Sequence, residues 1–465
     1  MKKKELFMFL FVFIISMFIR FWRYEHIPYQ TDGDEMAYVF AGQSLVEFGE
    51  PISWSSFSYP QSSTYKKVVL GNENLRANGE FTLVRPWFDH PYLLAVIEGW
   101  NSVIFGYHFP SIPPSLVVRI PMLFLAGATL ILVFAVSRLL FGKTPALFSL
   151  ALMGFTPSIA FGQRMVVGEN LFIPLMLAAL YCVLKKTRLV LPILLLAMAG
   201  LSKITGLLAI PVTMLPLILE KRYKTAAVLC LGSLGVFFSL YLFYAGFHGW
   251  QSFMIVMQTQ THRLVGWGNP AFILSHPGFH TWTLLDAGYY LILLFGLQPL
   301  LSPLKKERRW LVLSIIFSGI LVWMTGAEQD MLGWYKLPFF TFLAISSGMI
   351  IEKGIPSFAV ILVWMAAINN IGLVRYPFHP LPSSETLRFV VGTLLGGSFL
   401  LYSLPLSTEK SLKHTLLVAG FIFYAGVSIY TVDRFFAASC ESRHCPTPLM
   451  TFGQVIRNMR MQILK

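Results

Sequence analysis

The sequence predicts an all-α fold: a polytopic integral membrane protein with about 13 transmembrane helices and a cytoplasmic N-terminus. Three observations lead there. Of 465 residues, 55% are hydrophobic and only 12% charged, with a mean hydropathy of +0.65; soluble domains carry about a quarter charged residues. Apolar runs of bilayer length recur along the chain, and barrel strands alternate too weakly to produce them. Lys and Arg gather in short clusters between those runs, at Lys2–Lys4, Lys185–Arg188, Lys221–Lys224, Lys305–Arg309 and Lys410–Lys413, which is how topology is written. The net charge of +14 therefore reports orientation and gives no reason to expect nucleic acid.

The first run, Leu6 to Trp22, follows a basic start as a signal peptide would. It is long enough to span, and no small-residue cleavage site follows, so it reads as a retained helix. Further runs lie near 115–137, 146–162, 170–184, 189–201, 204–219, 225–246, 283–302, 310–326, 334–351, 356–373, 386–406 and 414–432. With the N-terminus inside, each basic cluster falls on the cytoplasmic side. Residues 1–432 form one transmembrane domain, and 433–465 a short extracytoplasmic tail.

Two long loops face outward. The first, 23–114, is too long for a mere connection. It contains TDGDEMAYVFAGQSLVEFG from Thr31 to Gly49, where Ala37, Phe40, Ala41, Ser44, Leu45 and Phe48 recur at helical spacing and Gly49 stands at the C-cap position. A second helix runs from Pro91 to Phe105 with Leu93, Val96, Ile97, Trp100 and Ile104 on one stripe. Both read as amphipathic helices lying in the interface, apolar face down. The second loop, 248–282, is rich in His, Trp, Gln and Thr.

Acids and bases on the outer face exceed what the fold requires. Asp32, Asp34 and Glu35 crowd the start of the first loop helix. A cap accounts for one or two of them; three together also suit a catalytic base or a metal. Asp89 precedes His90-Pro91 and reads equally as an N-cap. Glu169 opens a span, where a carboxylate is costly unless paired, and Arg164 is its nearest partner in sequence. Against the usual bias, Arg119, Arg164, Lys203, His262-Arg263 and Lys336 sit at the outer edge. Each alone could snorkel to headgroups; together they suit a phosphate anion at the bilayer surface. Trp54, Trp87, Trp267, Trp282 and Trp334 on that face form either an interfacial belt or platforms for sugar rings.

Other motifs lead nowhere. Phe141-Gly142-Lys143-Thr144 lacks the upstream glycine and strand of a P-loop, and Pro277-Gly278 prevents His276 and His280 from sharing a helix face for a metal. Cys182 and Cys230 fall in apolar segments. Cys440 and Cys445, flanking His444, read as a disulfide on an oxidising side, with half a metal site as the alternative.

In order along the chain, Asp34-Glu35 at the head of the first loop, His90-Pro91-Tyr92-Leu93, Arg119-Ile120-Pro121 through Arg138-Leu139-Leu140-Phe141-Gly142, Arg164 to Asn170, Leu201 to Gly206 and Trp334 to Pro338 resemble segments of the GT-C superfamily. These are polytopic glycosyltransferases that use polyprenyl-phosphate sugars. The nearest likeness is to the protein O-mannosyltransferase and aminoarabinose transferase branch, also described as dolichyl-phosphate-mannose-protein mannosyltransferase-like. The resemblance extends over residues 5–350 and departs from the family at Tyr92, in place of a second proline, and at Glu169-Asn170, in place of an aspartate.

The resemblance implies inverting transfer of a sugar, of hexosyl and mannosyl type, from a polyprenyl-phosphate donor to a hydroxyl of a lipid, glycan or protein. It places the site on the extracytoplasmic face of the plasma (inner) membrane. The residues suit that chemistry. Asp34 would act as base with Glu35; Asp89, His90 and Glu169 would orient the acceptor or a metal. Arg119, Arg164, Lys203 and Lys336 would meet the charge of the leaving phosphate. No cofactor is required, although Asp34 and Glu169 are hard ligands suited to Mg²⁺ or Mn²⁺. A transporter or flippase of lipid-linked sugars is the alternative from another class. It would need ionisable residues deep in the spans, whereas these acids gather on one face.

Overall fold

The computed structural model describes residues 3–25, 33–70, 79–261, 287–301, 309–325 and 333–353, with isolated positions at 273 and between 419 and 432. The expected spans at 356–373 and 386–406, the tail with Cys440 and Cys445, Asp32, His262-Arg263, Trp267, Trp282, His276 and His280 lie outside the described residues.

The first helix, α1 (Lys3–Phe21), leads to α2 (Gly33–Phe48). A small antiparallel sheet follows, β1 (Ser53–Trp54), β2 (Thr64–Leu70) and β3 (Gly79–Val84), in the order β1-β3-β2. Then come α3 (Leu93–Ile104), α4 (Ser115–Val118), α5 (Ile120–Phe141), α6 (Lys143–Phe155) and α7 (Pro157–Gly162). After these run α8 (Gly168–Leu184), α9 (Val190–Ser202), α10 (Ala209–Leu219), α11 (Tyr223–His248) and α12 (Trp250–Thr261). The described helices close with α13 (Ala287–Leu301), α14 (Arg309–Thr325) and α15 (Leu337–Lys353).

Most expected spans appear as helices, and the departures have local causes. The run at 146–162 breaks into α6 and α7 because Pro157 has no N–H to continue the ladder. The run at 204–219 opens as a 3-10 turn, Ile204–Leu208. Among the described residues two continuous stretches, Ser115–Phe141 and Tyr223–His248, are long and apolar enough to cross a membrane by length and composition; at 1.5 Å per residue each reaches about 40 Å, beyond the roughly 30 Å hydrocarbon core. Phe7, Phe124 and Phe243 are each about 70% exposed, an arrangement that suits lipid and would be costly in water. The interior joins α5, α6, α8 and α15 around Phe134, Met153, Leu177 and Phe342.

The long first loop, 23–114, differs most from expectation. The sheet was not anticipated. Its strands mix Lys66 and Lys67 with Val68 and Val69, and only pairing Val68 with Phe81 and Lys66 with Leu83 reveals the alternating faces. Helix α2 ends as expected at Gly49, whose φ of +70° is the left-handed C-cap geometry that glycine adopts without strain. It does not lie on an interface, however: every residue from Glu35 to Ser44 is buried.

α3 accounts for part of that burial. It turns Leu94, Ala95, Glu98, Gly99 and Ser102 inward and leaves Trp100 and Ile104 exposed, so the apolar stripe faces outward and the small face meets α2. The two helices cross backbone to backbone at Gly42 and Gly99. A Cβ on Gly42 would stand 1.9 Å from the Ala95 carbonyl oxygen, and one on Gly99 would stand 2.1 Å from that of Gly42. Neither obstacle is a side chain that can swing away. Gly99→Ala is therefore expected to destabilise the protein by about 3 kcal/mol, the upper end of the range for overpacking. A melting temperature equal to wild type would show that the crossing can open at no cost.

Candidate active site

Gly33 places Asp34 and Glu35 in the first turn of α2, and successive residues on a helix diverge by about 100°. Glu35 turns into the protein. Its carboxylate receives Nε and Nη2 of Arg119, each at 3.2 Å, and the Val166 backbone N–H at 3.0 Å, while Arg119 Nη1 donates to the Tyr24 carbonyl at 3.0 Å. Both side chains are fully buried. Glu35, expected beside the base, and Arg119, expected at the donor phosphate, are thus engaged with one another.

Asp34 lies half-buried, one turn before Tyr38 on the same helix face. The Tyr38 ring stacks on His90 at 5.2 Å and meets Trp87 edge-on at 5.8 Å. Burial raises the Tyr38 hydroxyl well above the ordinary tyrosine range, and the charges of Asp34, Glu169 and Asp89 push it the same way, as does Tyr335. Groups from four separate parts of the chain thus act electrostatically on one phenol.

Asp89 is buried and does not cap α3, whose N-cap is Tyr92. Its Oδ1 accepts from Ser55 Oγ and Tyr59 Oη, each at 2.9 Å, and its carbonyl accepts from Gln260 Nε2 at 2.6 Å. Burial lifts its pKa from 3.8 to about 7; the donors from Ser55 and Tyr59 oppose that shift, and the charge of Asp34 adds to it. An acid raised on folding binds its proton more tightly in the native state. The stability it contributes is therefore complete below the ordinary carboxylate range and is lost as pH rises to about 7. Asp89→Asn is expected to flatten the melting temperature between pH 4 and 7, read by thermal melts across that range; an unchanged slope would assign the dependence to another group.

Glu169, in the first turn of α8, accepts from Lys203 Nζ at 2.7 Å. Arg164, its expected partner, instead donates through Nη2 to the carbonyls of Ile19 (2.6 Å) and Trp22 (2.7 Å) at the end of α1, its guanidinium over the Phe161 ring. Gly168 makes the Glu169–Lys203 approach feasible: a Cβ there would stand 2.7 Å from the Lys203 Cβ. The Lys203 ammonium lies 4.4 Å from the centre of the Tyr335 ring. Burial works against this ammonium, but Glu169, Tyr335 and, further off, Asp34 outweigh it and hold the pKa above the usual lysine value. Lys336, next along the chain, turns instead to the Tyr289 ring at 5.1 Å.

Arg119, Arg164, Lys203 and Lys336, the four of those cations within the described residues, are all buried, so none of them snorkels to headgroups. Trp87 and Trp334 are buried as well, inside the fold and not in an interfacial belt. The structure thus brings Asp34, Asp89, His90, Glu169 and Lys203 near one another with Tyr38, Tyr59 and Tyr335, while Glu35 and Arg119 pair with each other and Arg164 and Lys336 are engaged elsewhere. Nothing in the sequence pattern alone marks the tyrosines as site residues. Tyr38 stands at i+4 from Asp34, whereas Tyr59 and Ser55 acquire a role only when the sheet closes on Asp89. Glu98 is likewise unmarked: buried beside Glu35 with neither oxygen hydrogen-bonded, its carboxyl is pushed well above the usual glutamate range. Among the described residues no three His, Cys, Asp or Glu side chains are placed to hold a metal ion. Glu169 accepts from Lys203 through one oxygen and keeps the other buried without a hydrogen bond, and Asp89 accepts from two hydroxyls through one oxygen.

No family model matches the sequence, and no curated protein matches it. Solved structures do match the fold. ArnT from Cupriavidus metallidurans in the apo state superposes with a TM-score of 0.58 at 14% identity, over 93% of this chain and 77% of that one. The same enzyme bound to undecaprenyl phosphate matches with a TM-score of 0.58 at 12% identity, over 94% and 78%. The oligosaccharyltransferase AglB from Archaeoglobus fulgidus, in complex with an inhibitory peptide and a dolichol-phosphate, matches with a TM-score of 0.50 at 12% identity. That match covers 92% of this chain and 56% of the longer AglB chain. The chain therefore shares the fold of ArnT and AglB, in keeping with its resemblance to the GT-C superfamily.

Proposed function

We propose that this protein is a membrane glycosyltransferase that moves a sugar with inversion from a polyprenyl-phosphate donor to a hydroxyl acceptor at the extracytoplasmic face, within a bundle of about thirteen spans. One observation carries the reading: Asp34 stands one turn before Tyr38, whose ring stacks on His90 beside Asp89, and Glu169 is paired with the Lys203 ammonium at 2.7 Å, so carboxylates from three distant segments act on one buried tyrosine. The solved relatives of this fold, bound to undecaprenyl phosphate and to a dolichol-phosphate, support a lipid-phosphate donor.

Asp34 takes the proton of the acceptor hydroxyl as its oxygen attacks the anomeric carbon. The bond from that carbon to the phosphate oxygen breaks, and the lipid phosphate leaves with an added negative charge. Lys203, aimed by Glu169 and flanked by Tyr335, meets that charge. Glu35 and Arg119 hold the first turn of α2 in place and so position Asp34, while Arg164 ties α1 to the turn before α8. Asp89, with His90 beside it, orients the acceptor. The hexosyl or mannosyl preference belongs to the same proposal.

The test is transfer of a radiolabelled sugar from polyprenyl-phosphate mannose, and from other polyprenyl-phosphate hexoses, in proteoliposomes. Product whose formation depends on Asp34 supports the reading. Hydrolysis without transfer, or donor crossing the bilayer unchanged as a flippase would move it, overturns it.

A further inference from the structure

Away from the acidic centre, a cavity of about 540 Å³ opens where the loop sheet meets the outer end of α11, among Glu50, Ser62, Thr64, Tyr65, Arg85 and His248. The volume lies within the range of small-molecule sites. Its charges cancel, since Arg85 forms an ion pair with Glu50. An anion is therefore poorly served here. A polyol is served well: each sugar hydroxyl both donates and accepts, and the cavity offers a carboxylate, a guanidinium and the hydroxyls of Ser62, Thr64 and Tyr65 for both roles. Tyr65 and Phe247, both exposed, supply apolar ring surface for C–H groups.

The cavity is built into the same elements as the centre. Arg85 and Pro86 line it, and Asp89 follows three residues later, at most roughly 11 Å along an extended chain. The Arg85 backbone N–H is fixed to the Ser63 carbonyl at 2.7 Å. Helix α12 spans the gap: Ser252, near its start, meets Ser63 Oγ at 3.0 Å under the cavity, and Gln260, near its end, holds the Asp89 carbonyl.

We propose that this cavity is a saccharide subsite, which holds a sugar of the acceptor beyond the one that reacts, so that the acceptor is a glycan. Calling the occupant an acceptor rests on the transfer reading above; its being a neutral saccharide does not.

The test uses the full chain in nanodiscs, free of sugar-headed detergents, with methyl α-mannopyranoside, methyl α-glucopyranoside and cellobiose as probes followed by saturation-transfer NMR. Saturable binding is expected, weakened about tenfold by Arg85→Ala, which removes the fork, and by Ser62→Trp, which fills the space. Both positions are exposed, so folding is retained. Asp34→Asn is expected to leave this binding unchanged. Absence of binding by any probe, equal binding in both cavity variants, or displacement by inorganic phosphate or by an acidic peptide overturns the subsite. Loss of the proposed transfer chemistry with glycoside binding intact would overturn the enzyme reading alone.

Discussion

Asp34→Asn is expected to lower sugar transfer by about 10²–10⁴-fold, the range contributed by a positioned general base. Asparagine keeps the size and helix-start position of the side chain and removes its negative charge and, with it, its ability to take a proton. Donor binding and the melting temperature should therefore stay near wild type. Single-turnover transfer with a labelled donor separates the two effects. Transfer within threefold of wild type would remove Asp34 from the base role and leave Asp89, the other carboxyl near Tyr38 with access to a protonated and an ionised form near neutral pH, to be tested in its place.

Arg119→Met is expected to cost about 3–5 kcal/mol of stability, because removing one member of a buried ion pair strands the other. The stranded group is Glu35, fully buried, with Glu98 nearby and only the Val166 N–H left among the donors described above. Adding Glu35→Gln should recover part of the loss, since the amide carries no charge into the interior. A double-mutant cycle on thermal or denaturant unfolding is expected to give a coupling of about 1–3 kcal/mol. If Arg119 acted on the donor phosphate alone, the single variant would bind donor more weakly and melt like wild type. That outcome would overturn its assignment as the support of α2.

Glu35 shows how far sequence reading reached. Its place at the start of a helix soon after the first apolar run, next to Asp34, was legible from the helical spacing that follows. Its partner was not, because Arg119 lies 84 residues away and nothing local distinguishes it from Arg164. Glu169 repeats the lesson. Arg164 is close in sequence, yet the turn after α7 directs it back to the carbonyls ending α1, and Lys203 arrives from the far end of α9 through the space that Gly168 leaves open. Tyr59 and Ser55 reach Asp89 only because β1 and the segment after it fold back against the residues following β3.

By itself the sequence determined a helical chain with the hydropathy of a membrane protein, the segments that become most of its helices, and the long first loop as a place where acids gather. Those properties follow from hydropathy, helical periodicity and charge placement, which are written over short windows. Tertiary structure alone decided that α2 is buried and not interfacial, which carboxylate pairs with which cation, and that three tyrosines link the acids. Each of these depends on groups far apart in the chain, and the cost of burying a charge in a low-dielectric interior selects a partner by proximity in space and not by order in sequence.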